Sequence, residues 1–117
     1  MTLQNERYLD SSLPADIDIA QGIWEQLGGQ DFLRTTGATQ GFTIVRGLRM
    51  RLPGHDFQGI NFVKITLNHD NLYNVEFGRH YIKQDKTVYH RISSALNIHA
   101  NNLRKTFTEH TGLRAGQ

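Results

Sequence analysis

Apolar positions recur along this chain with two different periods. Ala20, Ile23, Trp24 and Leu27 fall at i, i+3, i+4 and i+7, one face of a helix running from Asp16 to Leu27. Asp16 and Asp18 suit its first turn, where the helix dipole favours negative charge. Gly28-Gly29 stops it. A second short helix is expected over residues 30 to 35, with Phe32 and Leu33 turned inward and Gly37 at its end.

After Gly37 the period becomes two, and strands are expected at 42–45, 48–52, 61–67 and 72–77. The first pair turns at Arg46-Gly47, a loop follows at 53–59, and the composition of 68–71 predicts a hairpin turn. One more hairpin is expected over 79–92 around KQDK, with Val88, His90 and Ile92 on one face. A final helix over residues 97 to 110 carries Ala100, Leu103 and Phe107 as its stripe, closed by Thr111-Gly112. The expected class is α+β: N-terminal helices, an antiparallel meander of five to six strands, and a C-terminal helix packed on one sheet face. A length of 117 residues fits one domain, expected over 15–117, behind a flexible acidic lead over 1–14.

Charge changes this picture by its distribution. Net charge is only +2. Residues 1–31 hold six acids against one base, for −5, whereas residues 32–117 hold twelve bases against five acids, for +7. A basic body attracts phosphate, and an acidic lead either competes with that ligand or sits against the basic face. With no cysteine there is no disulfide, no thiol chemistry and no Cys-ligated zinc. No apolar run has the length of a membrane span, so neither a membrane partner nor an export signal is expected.

The stretch RGLRMRLPG sharpens the question of a ligand. Leu48, Met50 and Leu52 alternate with Arg49 and Arg51, giving a strand with one oily and one cationic face. If 48–52 and 61–67 are neighbours, Arg49, Arg51, Phe62, Lys64 and Thr66 share the face opposite the core. Cations supply phosphate attraction, and an exposed aromatic supplies a stacking platform for an unpaired base. Arg46 and Arg79 add charge at the margins. The competing reading is a solvated face with Glu76 pairing Lys64 across the ladder.

The six histidines form no HExxH or HxH pattern. His55 and His69 each precede an aspartate in a turn. His80 and His90, meeting across the last hairpin beside Glu76, would make a general acid–base site. The glycines form neither a GxGxxG nor a GxxxxGK[ST] phosphate loop.

The order LGG (27–29), TGA (36–38), VKITLN (63–68), LYNVEFG (72–78) and TGL (111–113) resembles a family of small bacteriophage and mobile-element proteins. Their mark is an ITLN…LYDVEFG hairpin followed by a helix ending in TGL, and no activity is established for them. This chain has Asn74 where the family often has Asp. The resemblance implies a setting in the cytoplasm of a bacterial host.

Three functions are weighed. The first is a non-enzymatic accessory protein that binds single-stranded DNA or RNA through Arg46, Arg49, Arg51, Phe62, Lys64 and Arg79. The second is an anti-defence protein of the anti-CRISPR kind, inhibiting a host nuclease or nucleoprotein complex, with Trp24, Asp16 and Asp18 contacting the partner. The third is a small His-dependent nuclease. The first two need no cofactor and no metal, and a homodimer is expected under both, because a meander leaves an edge strand to pair.

Overall fold

A computed structural model describes residues 10–54 and 58–113. Most of the expected lead and His55 lie outside the described residues. Helix α1 (Pro14–Leu27) precedes α2 (Gln30–Thr36). Five strands follow: β1 (Thr39–Ile44), β2 (Gly47–Arg51), β3 (Phe62–Leu67), β4 (Tyr73–Lys83) and β5 (Lys86–Ile98). A single 3-10 turn, Ala100–Asn102, leads into α3 (Leu103–Thr111). The sheet is an antiparallel meander in the order β1-β2-β3-β4-β5.

Pro14 opens α1 at a position whose N–H would have no helical partner anyway. Gly28 closes it in the left-handed conformation, its N–H reaching the Glu25 carbonyl. The buried faces of the helices meet Leu48, Met50, Val63, Ile65, Val75 and Phe77 in one cluster on one face of the sheet. Phe32 and Phe107 meet edge to face at 4.9 Å, and Phe77 stacks on His110 at 4.7 Å. These ring contacts tie both ends of the chain to the central strands.

Two elements differ from the sequence expectation. Residues 72–77 and the first arm of the expected hairpin are one strand, β4, so the sheet has five strands. The apolar alternation fades past Gly78 because the hairpin runs beyond the helices that cover the sheet. Its two-residue turn, Gln84-Asp85, has both residues left-handed, matching the twist of the flanking strands. The last helix also starts later than expected, because β5 continues to Ile98 through polar residues. Asn61 bridges the gap just before β3 begins: its side-chain amide donates to the His80 carbonyl at 2.9 Å and accepts the His80 N–H at 2.8 Å. A side chain thereby continues the ladder for one more step.

Asp16 is enclosed rather than displayed. Its carboxylate accepts the Ser11 hydroxyl at 2.6 Å and the Arg46 backbone N–H at 2.9 Å. These bonds, Ser11 first, hold the carboxyl below its ordinary 3.8 against the opposing effect of burial. The unfolded chain therefore binds this proton more readily. The stability contributed by Asp16 is fully present above 3.8 and is lost as pH falls through the lowered folded value. Asp16→Asn should therefore be less stable than wild type near neutrality, with the gap closing in acid. Urea denaturation at about pH 7 and about pH 3 measures both.

Candidate nucleic-acid interface

The register fixes which side chains share the face opposite the helices. Arg49 pairs with Lys64, Lys64 with Glu76, and Glu76 with Ser94. In the next row Arg51 pairs with Phe62, Phe62 with Gly78, and Gly78 with Arg91. His80 pairs with Tyr89 beyond them. All three described helices contribute to the cluster on the other side. The sequence expectation that Arg49, Arg51, Phe62 and Lys64 come together is met, and the strands add Arg91, His80 and Tyr89.

Phe62 corrects the expectation of an exposed stacking platform: only 4% of it reaches solvent. His80 and Tyr89 meet its ring nearly at right angles, with centroids 4.7 and 5.6 Å away. Gly78 makes this cover possible. A Cβ at that position would lie 2.4 Å from the Tyr89 ring, so only glycine lets the tyrosine cross the strand. The Tyr89 hydroxyl then donates to Glu76 at 2.6 Å. The rings that cover Phe62 at the surface are therefore His80 and Tyr89, both half-buried and 4.9 Å apart, while Phe42 on β1 is a further exposed ring on this face. A glycine inside an apolar strand was the signal for close approach in the sequence; Tyr89 and Arg91 carried none.

The cations divide by what they touch. Arg51 and Arg91 are exposed. Arg49 lies 4.3 Å from the centroid of the Phe42 ring and makes two hydrogen bonds to the Asp10 carboxylate, at 3.0 and 3.1 Å. The end of the acidic lead thus reaches the cationic face. Lys64 stands 3.8 Å from Glu76, and both side chains are only 15% exposed. Beside them lies a polar cleft of about 260 Å³ bordered by Thr66, Asn74, Arg91 and Ser94. Burial, followed by the charges of Arg51 and Arg49, holds the His80 imidazole below its ordinary 6.5. His80 is consequently neutral near pH 7.

Arg79 does not join this face, which corrects its expected place at the margin, whereas Arg46 sits at the β1–β2 turn with its guanidinium taken up by backbone. Arg46 donates to the Leu67 and Asn68 carbonyls and so fastens the β1–β2 turn to the end of β3. Arg79 points to the other side of β4 and donates to the Gly59 carbonyl at 2.6 Å, holding the loop before β3. Both guanidiniums satisfy backbone oxygens.

The residues of the other two readings also separate. His80 and His90 occupy successive register steps and opposite faces, which overturns their expected meeting across the hairpin. Among the described residues no group of His, Asp and Glu could hold a metal ion. Trp24 is half-buried, makes an edge contact with Phe32 at 6.1 Å and lines a cavity of its own chain, so it does not project as an anchor. Asp16 is buried, and Asp18 alone of the three expected partner contacts is exposed. No described helix is long and apolar enough to cross a membrane. No protein-family profile, curated protein or solved structure matches the chain.

Proposed function

We propose that this protein binds single-stranded nucleic acid across the open face of its sheet, as an accessory protein of a phage or mobile element. One observation carries the reading. The sheet face that no described helix covers combines exposed Arg51 and Arg91 with the ring pair His80 and Tyr89. Arginines supply phosphate contacts that depend on salt, and aromatic rings supply sequence-tolerant stacking for unpaired bases. A neutral imidazole presents a flat ring on which an unpaired base can stack. Phe62 acts here as the buried support of the two outer rings. Asp10 offers Arg49 a carboxylate where a phosphate would bind. The inhibitor reading loses Asp16 and Trp24 as displayed contacts and therefore ranks second.

Fluorescence anisotropy with labelled single-stranded DNA, RNA and duplex DNA, at two salt concentrations, tests the proposal. Single strands should bind more tightly than duplex, and binding should weaken steeply with salt. Arg51→Ala together with Arg91→Ala should leave stability within about ±0.5 kcal/mol per site, as at exposed positions. The same change should lower the salt slope by about 1 for each lost phosphate contact. Bound phosphate would also offset the arginine charges near His80, so its NMR titration midpoint should rise in the complex. Salt-insensitive binding, or a folded double variant that binds like wild type, would sink the reading.

A further inference from the structure

On the helix side of the sheet, α1 does not seal against β1. A cavity of about 440 Å³ remains there, with Leu48 and Met50 as its floor and Trp24 as a wall. Edge strand β1 borders it with the small residues Thr39, Gly41 and Thr43. Gly41 is informative. Its backbone is outside the left-handed region, and among the described residues a Cβ placed on it would meet nothing closer than Met50 at 3.8 Å and Leu48 at 3.9 Å. At Gly47 and Gly78 a side chain would collide with neighbours. At Gly41 neither conformation nor crowding demands glycine, and its effect is to leave space.

We propose that this cavity binds a small, neutral, largely apolar ring compound with one hydrogen-bonding edge. The volume lies within the roughly 300–1,000 Å³ of small-molecule sites. Among the described residues no charged side chain lines it, so they offer an ionic ligand no counter-charge there. The Trp24 indole offers a flat apolar wall for a ring. Gln21, Thr39 and Thr43 supply donors and acceptors. A small molecule fits better than an extended peptide. The β1 ladder is irregular between Thr39 and Phe42, and farther along Ser11 donates to the Thr43 carbonyl while Asp10 bridges to Ile44. A peptide adding to this edge would meet a distorted strand and then the protein's own N-terminal segment.

Trp24 is the only tryptophan, so its emission reports on the cavity directly. The probe is N-phenyl-1-naphthylamine, a neutral dye of one naphthyl and one phenyl group that brightens in apolar surroundings. Wild type should bind it saturably, one per chain, with quenching of Trp24. Gly41→Val places two methyl groups in the cavity and should weaken binding by about tenfold or more, corresponding to about 1.4 kcal/mol. Dye titration followed by NMR on wild type gives a readout that does not depend on the variant. The Trp24 indole N–H and the Thr39, Thr43 and Met50 methyls should shift together. Absence of saturable binding, shifts confined to other residues, or a folded Gly41→Val protein that binds like wild type would each overturn the proposal.

Discussion

Phe77→Ala should lower folding stability by about 3–5 kcal/mol, the cost of removing a buried phenyl ring and leaving its cavity. Phe77 is fully buried, pairs with Val63 across β3–β4, stacks on His110 and lies 6.2 Å from Phe107. Its loss therefore loosens the joint between sheet and α3 as well as the sheet itself. A domain of this size commonly has about 5–15 kcal/mol in total, so the variant should be barely folded at room temperature. The urea midpoint should fall steeply. Phe77→Leu, which keeps most of the apolar volume, should recover part of the loss. A midpoint within error of wild type would mean that the α3 joint is not needed for the fold.

Gly78→Val should be the most damaging single change on the opposite face. Valine suits strands, so propensity alone would favour the substitution. Packing opposes it, because the first added carbon would lie 2.4 Å from the Tyr89 ring. The ring must swing away, which breaks its hydrogen bond to Glu76 and uncovers Phe62. Overpacking of this kind costs about 1–3 kcal/mol, and the exposed phenyl ring adds to it. Tyr89→Phe is the control: it keeps the ring over Gly78 and removes only the hydroxyl, so its cost should be smaller. Thermal melts order the two variants. Equal stability of Gly78→Val and wild type would show that Tyr89 does not depend on this glycine.

These two positions also show what could be read in advance. Phe77 belongs to a clear alternation with Tyr73 and Val75, and its burial follows from period two alone. The same rule correctly set Arg49, Arg51, Phe62 and Lys64 on one face. It could not tell that Phe62 would be roofed by rings arriving from β4 and β5, because alternation assigns a side and says nothing of what lies across it. Arg79 was misplaced, and the backbone partners of Arg46 went unseen, for a related reason. Their carbonyl partners are 21, 22 and 20 residues away, and no local pattern marks them. The expected hairpin stopped at 92 and the expected helix began at 97, so residues 93–96 were assigned to neither. As an edge strand, β5 needs an apolar residue only where α3 or the core touches it, so its polar residues hid its length.

The strand order copies the chain order, and this has a kinetic consequence. Every ladder in the sheet forms between consecutive segments, so no strand waits for a distant partner to be threaded between two others. Closing each successive hairpin costs little chain entropy, and topologies rich in such near-neighbour contacts fold quickly. The exceptions lie on the covered face, above all the meeting of α1 and α3, which joins segments far apart in the chain. That meeting spans the largest loop and brings the greatest entropic penalty. Docking of α1 onto α3 should thus be the late event, after a meander has zipped together from its own turns.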